Sequence, residues 1–212
     1  MKNRKSGDAG MKYDQAQVRI HEAYTVAIRD LGVHGEGIGS VDGFTVFVPG
    51  ALPGETVTVK ITLLKKSYAL GKLLSIEQES PFRTVPKCPV YENCGGCQLS
   101  HLTYEGQLDV KYRRVKDVIE RIAGESGKLV RPVLPAAHPF AYRNKMAIPA
   151  GLVKGKAALG CYRRGSHDII PVSSCAIQKE ENNRLLRFAR RFIEKYGISV
   201  YDEKTRKGSL RH

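Results

Sequence analysis

Residues 88–97 read CPVYENCGGC, and they place three of the five cysteines of this 212-residue chain at the spacing C-x5-C-x2-C. A fourth cysteine, Cys175, follows after 77 intervening residues. Thiolates held this close together repel one another unless a metal ion or a cluster offsets their charge. The two glycines between the last two cysteines of the motif let the backbone curl, through positive φ, so that its N–H groups face sulfur. The pattern therefore predicts a metal or cluster site formed by Cys88, Cys94, Cys97 and Cys175.

Three kinds of site are compatible with this cysteine pattern. A four-cysteine zinc site usually has two close pairs, whereas a triplet with one distant partner is more typical of [4Fe–4S] proteins, so the spacing favours iron–sulfur over zinc. A disulfide framework would require an oxidising compartment. The first ten residues, MKNRKSGDAG, contain no apolar segment of a signal peptide, which favours a cytoplasmic protein with reduced thiols.

The positive charge of the chain lies in its second half. The net charge is +14, and residues 111–212 carry 23 Lys/Arg against 9 Asp/Glu, whereas residues 1–110 carry 12 of each. A field of this sign favours a phosphate-rich partner, which we take to be nucleic acid. A basic surface kept for solubility is the alternative. An anionic membrane surface fits less well, and no apolar run of 18 residues predicts a membrane span.

Residues 18–80 show the pattern of short β-strands. Polar and apolar residues alternate in residues 56–61 and 44–48, and Pro-Gly turns follow at residues 49–50 and 53–54. About five strands in this length predict a small OB-like barrel, a fold that often binds single-stranded nucleic acid. The candidate contacts to the nucleic-acid backbone are Lys65, Lys66, Tyr68 and Lys72. A solvated hairpin is the alternative explanation for these four side chains.

Two amphipathic helices and three strands are predicted beyond the cysteine motif. The first helix spans residues 104–123, and its apolar stripe is expected to cover the cluster. The second spans residues 179–196, and its packing face is expected to contain Leu185, Ala189, Phe192 and Tyr196. The strands between them are predicted at residues 142–148, 157–164 and 167–172. The last strand leads to Cys175, so folding of this sheet must return Cys175 to the triplet.

Three segments resemble one known family. Residues 34–62, HGEGIGSVDGFTVFVPGALPGETVTVKIT, resemble the TRAM domain, a small RNA-binding barrel. The second segment is the cysteine motif with its continuation QLSHLTYEGQLDVKYRRV, and the third is CYRRGSHDIIPVSSCAIQ at residues 161–178. With these three segments, the chain resembles the N-terminal part of an RNA (uracil-5)-methyltransferase of the iron–sulfur type. The resemblance runs from about Val18 to His212. It implies a [4Fe–4S] cluster on Cys88, Cys94, Cys97 and Cys175, and it leaves Cys161 as a small buried hydrophobe.

The resemblance also implies a domain organisation, which we write as an α+β fold class. Residues 1–17 form a disordered tail, 18–80 a TRAM-like, OB-like β-barrel, and 81–125 a small helical segment with the cluster loop. Residues 126–212 form a central basic α/β RNA-binding domain, incomplete in this chain, that supplies the fourth cluster ligand. We expect the catalytic Rossmann-like domain to be absent from this chain, because no glycine-rich loop joins a strand to a helix in the required way.

The implied activity is methyl transfer from S-adenosylmethionine to uracil C5 of 23S rRNA. The chain would be the RNA-recognition part of such an enzyme, without catalytic residues and inactive alone, since S-adenosylmethionine binds elsewhere in the full-length family member. Its implied RNA contacts are Arg143, Lys145, Arg163 and Arg164. The alternatives are a tRNA uracil-5 methyltransferase and a stand-alone, non-enzymatic RNA-binding iron–sulfur protein; an electron carrier is disfavoured by the basic charge. We expect a cytoplasmic monomer that does not bind membranes.

Overall fold

The chain divides into two compact units in the computed structural model, which describes residues 18–202 and 205–212. The division falls between Pro81 and Phe82, and each unit has its own hydrophobic core. Residues 1–17, predicted to be a disordered tail, lie outside the described residues. Among the residues that the structure describes, no helix is both long enough and apolar enough to cross a membrane.

Five strands close into a barrel in the first unit. They are β1 (Ala23–Leu31), β2 (Gly37–Val41), β3 (Phe44–Val48), β4 (Thr56–Leu64) and β5 (Tyr68–Gln78). The order around the barrel is β1-β2-β3-β5-β4, and β4 returns to β1. Neighbouring strands are antiparallel except for the parallel pair β3 and β5. The predicted barrel is confirmed.

Alternation along the strands builds the core of this barrel. In β4, Val57, Val59 and Ile61 are fully buried, while the residues between them point outward. Period-two burial is what a strand with one face on a core requires. The loop before β4 is fixed by Glu55, whose buried carboxylate accepts a hydrogen bond from the Leu52 N–H at 2.8 Å. A buried carboxylate with a backbone donor avoids the penalty of an unpaired buried charge.

The second unit contains two helices and one small sheet. Its elements are α1 (Tyr104–Arg121), a 3₁₀ turn (Gly127–Leu129), β6 (Ala150–Val153), β7 (Lys156–Tyr162), β8 (Ile169–Pro171) and α2 (Glu180–Lys195). The sheet order is β6-β7-β8, and both pairs are antiparallel. The α/β description predicted for this region is therefore wrong. Its strands are joined by short hairpins, such as the turn at Lys154 and Gly155, rather than by helical crossovers.

The strand predicted at residues 142–148 does not form. The segment makes one isolated bridge, between Arg143 and Gln178, and otherwise runs without a partner strand. The Arg143 N–H donates to the Ile177 carbonyl at 2.8 Å, and the Arg143 carbonyl accepts from Lys179 N–H at 3.2 Å. Alternating side chains favour extended backbone, but a strand also needs a neighbour along its length.

Helix α2 packs through a face that shares only Ala189 with the predicted one. Leu186 and Ile193 are buried against the sheet, whereas Leu185, Phe192 and Tyr196 are 64%, 44% and 60% exposed. Apolar residues recur at helical spacing on both faces of this helix, so periodicity alone does not select the buried one. Three aromatic rings lie next to one another on the exposed face. The ring centroids of Phe188 and Phe192 are 6.1 Å apart, and those of Phe192 and Tyr196 are 4.6 Å apart.

Helix α1 begins at a clear cap and ends earlier than predicted. The Thr103 side chain accepts a hydrogen bond from the Gly106 N–H at 3.2 Å, as an N-cap threonine does. The helix ends at Arg121, two residues before the predicted end. Val115, Val118 and Ile122 of its apolar stripe are exposed, so this C-terminal part of the stripe covers no cysteine.

Candidate metal centre and nucleic-acid interface

Tyr91 stabilises the cysteine loop, which is formed by residues 88–97. The Tyr91 hydroxyl donates to the Gln98 carbonyl at 2.8 Å and lies 2.5 Å from Nδ1 of His101, which is buried. Burial raises the pKa of Tyr91 above its ordinary value, so the hydroxyl keeps its proton and remains a donor. Next to Tyr91, Val90 packs on the core formed by the sheet and α2. The loop is therefore attached to the second unit by apolar and polar contacts.

The loop pairs with the end of β7. The Gly95 N–H donates to the Tyr162 carbonyl at 2.9 Å, and Cys94 forms an antiparallel bridge with Arg163. A Cβ at residue 95 would lie 3.0 Å from the Tyr162 carbonyl oxygen and 3.2 Å from Cα of Arg164. Glycine is needed here for this close approach, and not for positive φ, which neither Gly95 nor Gly96 adopts.

Two arginines extend the contact between the cysteine loop and the β7–β8 hairpin. Nη1 of Arg163 donates to Oδ1 of Asn93 at 2.8 Å, and Nη2 of Arg164 donates to the Cys97 carbonyl at 3.0 Å. These side chains were predicted only as RNA contacts. The structure shows that the same two guanidinium groups also bind the cysteine loop.

Cys175 is held by an asparagine on α2. Its N–H donates to Oδ1 of Asn183 at 2.9 Å, and Nδ2 of Asn183 donates back to the Cys175 carbonyl at 3.3 Å. The Asn183 side chain is buried, so these bonds are shielded from water. Asn183 thereby fixes the backbone of a cysteine that is distant in sequence from the loop.

The thiols of Cys97 and Cys161 lie close enough to other cysteines for their charges to interact. Burial raises the pKa of Cys97, and the nearby thiolates of Cys175, Cys94 and Cys88 raise it further. Burial likewise raises the pKa of Cys161 to about 12, with further contributions from Cys94, Cys175 and Cys97. Charges influence one another in this way only at short range. Cys88, Cys94 and Cys175 thus lie within electrostatic range of Cys97, and Cys161, which is half-buried rather than buried, lies beside Cys94.

The gathered thiols do not form a ready metal site. Within residues 18–202 and 205–212, no group of three or more His, Cys, Asp or Glu side chains is arranged to hold a metal ion. All five cysteines are free thiols. One backbone donor faces sulfur: the Gly96 N–H lies 3.4 Å from Sγ of Cys94. Metal ligation by Cys88, Cys94, Cys97 and Cys175 therefore stays a prediction.

The predicted RNA contacts of the second unit fall at two places. Arg163 and Arg164 lie on the turn between β7 and β8, beside the cysteine loop. Arg143 and Lys145 are exposed on the segment before β6, and Lys145 borders a cavity of about 520 Å³ between that segment and α2. The buried side chain of Gln178 also lines this cavity. Among the described residues, neither the hydrogen bonds of the two turn arginines nor the linings of the cavities at Lys145 and at Arg164 group Arg143 or Lys145 with Arg163 or Arg164.

In the first unit, the predicted contacts lie at the turn between β4 and β5. Lys65 and Lys66 are exposed, and the Lys65 N–H donates to the Tyr68 carbonyl at 2.8 Å. Tyr68 is half-buried, because its ring meets the Phe47 ring edge-on with centroids 5.5 Å apart. The two lysines are thus available to a phosphate backbone, while Tyr68 is partly committed to packing.

Sequence reasoning missed the residues that support the cysteines. Tyr91 and His101 flank the motif, but nothing in their spacing distinguishes a hydrogen-bonded pair from two solvated side chains. Asn183 belongs to a helix whose predicted packing face did not include it. Tyr162 follows Cys161 in the motif CYRRG, and its proximity to arginines is a usable signal of an aromatic RNA contact.

Comparison with known proteins identifies the barrel. Residues 17–74 match the model of the TRAM domain. The first unit contains a TRAM domain. Longer relatives also match the residues beyond the TRAM domain. An uncharacterized RNA methyltransferase of Bacillus cereus is 48% identical to this chain over 195 residues. An uncharacterized RNA methyltransferase of Clostridium tetani is 44% identical over 195 residues. Each match covers 92% of this chain and 42% of the relative, so the chain spans about two fifths of their length.

A solved structure extends the similarity to the fold of the chain. It is the Pyrococcus abyssi tRNA (uracil-54, C5)-methyltransferase in complex with S-adenosyl-L-homocysteine, which is 26% identical, with a TM-score of 0.64. The alignment covers 88% of this chain and 41% of that enzyme. It overturns the predicted fold class, in which a catalytic Rossmann-like domain is absent, because the fold seen here is part of the fold of a full methyltransferase. The expectation that the chain alone is inactive has no support in these comparisons.

Proposed function

We propose that this protein is an S-adenosylmethionine-dependent RNA (uracil-5-)-methyltransferase and that the residues described here recognise its RNA. The observation that carries the proposal is the alignment of 88% of the chain with a uracil-C5 methyltransferase bound to S-adenosyl-L-homocysteine. The presence of a TRAM domain and the relatives named RNA methyltransferases support an RNA partner. The charge of +14 favours the same partner, because RNA binding is dominated by its phosphates.

Two RNA classes are candidates for the substrate. The first is 23S rRNA, which the resemblance to methyltransferases with a TRAM domain implies. The second is tRNA, which the name of the Pyrococcus abyssi enzyme specifies for that protein. A non-enzymatic RNA-binding protein is a third possibility, and the experiment on RNA modification below distinguishes it from both.

We further propose that Cys88, Cys94, Cys97 and Cys175 hold a [4Fe–4S] cluster. The donor set suits it: the thiols of Cys88, Cys94 and Cys175 lie within electrostatic range of Cys97, and the Gly96 N–H faces Sγ of Cys94. When bound, such a cluster would supply a cross-link between the loop and the chain after β8, and metal binding of this kind contributes to folding. The half-buried Cys161, whose thiol keeps its proton, is not assigned as a ligand.

The residues of this chain position cations for phosphate. The cysteine loop holds Arg163 and Arg164 through Asn93 and the Cys97 carbonyl, so less side-chain entropy is lost when they bind RNA. Further proposed phosphate contacts are Arg143 and Lys145 in the second unit and Lys65, Lys66 and Tyr68 in the TRAM domain. We also propose that the protein is a cytoplasmic monomer.

Loss of RNA modification tests the proposed activity. Deletion of the gene in its host is expected to remove 5-methyluridine from one RNA class, measured by mass spectrometry of nucleosides from purified 23S rRNA and tRNA. Reintroduction of the gene should restore it, and S-adenosyl-L-methionine labelled on its methyl group should deliver the label to that RNA. Unchanged 5-methyluridine in every class would contradict the proposal and favour a non-enzymatic RNA-binding protein.

Iron content tests the proposed cluster. Anaerobically purified protein is expected to bind about four irons per chain, measured by mass spectrometry of the metal. Replacement of any one of Cys88, Cys94, Cys97 or Cys175 by alanine should remove most of the iron, because a cluster with three ligands is labile. Cys161→Ala is the matched control and should retain it. One zinc per chain in place of iron, or equal loss from Cys161→Ala, would contradict the assignment.

A further inference from the structure

The turn between β7 and β8 holds two aromatic rings side by side. The rings of Tyr162 and His167 have centroids 5.0 Å apart and an interplanar angle of 36°. The Arg163 N–H donates to the Asp168 carbonyl at 2.8 Å, the Ser166 N–H donates to the Arg163 carbonyl at 3.1 Å, and a glycine with φ of 73° completes the turn. The backbone of the hairpin therefore fixes the pair, while the Tyr162 side chain remains 44% exposed.

Two cavities border this pair. One has a volume of about 450 Å³ and is also lined by Lys154 and Arg211. The other has a volume of about 860 Å³ and is also lined by Arg164 and by the glycines of the cysteine loop. Tyr162 and His167 contribute to both, so the rings stand between the two cavities. Volumes of about 300–1,000 Å³ are typical of sites for small ligands, a size that accommodates a nucleotide.

The charges around the rings are mainly positive. Lys154 and Arg211 lie on one side and Arg164 on the other. Asp168 is the acidic residue of this surface, and its carboxylate is 3.8 Å from Nε of Arg163. Cations on both sides of an exposed ring match the chemistry of a single-stranded nucleic acid, in which an unstacked base is flanked by phosphates.

We propose that Tyr162, supported by His167, is a stacking platform for one unpaired base of RNA. The phosphates on either side of that base would lie near Lys154 and Arg211 in one cavity and near Arg164 in the other. The inference rests on the proposed RNA partner and adds to it a residue and a base-binding mode. Duplex RNA does not fit this site, because its bases are already stacked and its deep major groove does not admit side chains.

Fluorescence of 2-aminopurine in a single-stranded RNA tests the platform. The cluster-loaded protein is titrated into this RNA, and stacking on Tyr162 should quench the fluorophore. Tyr162→Leu should lose the quenching and bind about five- to tenfold more weakly, the low end of the effect of removing one base–aromatic stack. Tyr162→Phe keeps the ring and should remain within about twofold of wild type. Tyr196→Leu removes a tyrosine that is 60% exposed, against 44% for Tyr162, and that lines neither cavity, and it should change nothing.

The outcomes separate this proposal from the proposed function. Salt-dependent RNA binding with Tyr162→Leu equal to wild type, or equal quenching with duplex RNA, would overturn the stacking platform alone. No RNA binding by any of the proteins would overturn both. If Tyr162→Leu loses its iron, His167→Leu takes its place, with weaker quenching expected; unchanged quenching there would overturn the proposal.

Discussion

Burial and neighbouring thiolates act on the same proton at Cys161. Burial, together with the nearby thiolates of other cysteines, raises the pKa of this thiol from 9.0 to about 12. Cys97 shifts in the same direction for the same reasons. A cysteine with so high a pKa is almost entirely a neutral thiol at physiological pH, and a neutral thiol is a poor nucleophile. This supports the prediction that Cys161 is chemically inert.

The raised pKa of Cys161 predicts a stability that falls at alkaline pH in the iron-free protein. The folded state holds the proton more tightly than the unfolded state does. The stabilisation is therefore complete below the unfolded pKa of about 9 and is lost as pH rises toward about 12. Urea unfolding midpoints measured between about pH 8 and about pH 10 should decline less for Cys161→Ala than for wild type.

Cys161→Ser serves as the second variant in this comparison, because it keeps the size of the side chain and lacks the titrating thiol. Both variants should share the flatter pH dependence. Parallel curves for wild type and both variants would show that Cys161 does not titrate differently in the folded and unfolded states.

At the scale of elements, Asn183 joins α2 to the chain that follows β8. Replacement by alanine removes both hydrogen bonds to the Cys175 backbone and leaves buried groups unsatisfied, so we expect a loss of about 1–3 kcal/mol in the free energy of unfolding. Denaturant unfolding measures this loss. Asn182→Ala is the control, since its side chain bonds Gln178 and not Cys175. A loss no larger than that of the control would mean that Asn183 does not hold Cys175.

The elements also show where prediction from sequence succeeds and fails. The barrel could be predicted because alternation in β4 and Pro-Gly turns are local signals. The buried face of α2 could not, because Leu185 and Leu186 both belong to plausible stripes and the choice depends on contacts with the sheet. The predicted strand at residues 142–148 failed because no local signal reports whether a partner strand exists.

For the candidate site, the cysteine spacing predicted a set of ligands but not the residues that support the loop. Arg163 reaches Asn93 and Arg164 reaches Cys97 across 70 and 67 residues of sequence. Such contacts depend on how the β7–β8 hairpin pairs with the cysteine loop, which is distant in sequence. No periodicity in a single sequence encodes this pairing. The same limit applies to Asn183, whose role depends on where Cys175 returns to the fold.

At the scale of the whole molecule, RNA affinity should fall with salt. Each phosphate contact to single-stranded RNA contributes about 0.7 to the slope of log K against log salt. The double variant Arg143→Ala, Lys145→Ala should therefore flatten the slope by about 1.4, measured by fluorescence anisotropy over a salt series. Arg113→Ala is the control, because Arg113 pairs with Asp109 on α1. An unchanged slope in the double variant would remove these two residues from the interface.

The long separation between Cys97 and Cys175 has a consequence for how the protein is made. At about 5–20 residues per second, the ribosome releases Cys175 roughly 4–16 s after Cys97. For most of that interval the nascent chain carries the three thiols of the motif without the complete β7–β8 hairpin that receives Gly95, and throughout it lacks Cys175. Exposed thiols are open to oxidation. Slow translation in aerated cells should therefore increase the fraction of chains damaged before α2 has been synthesised.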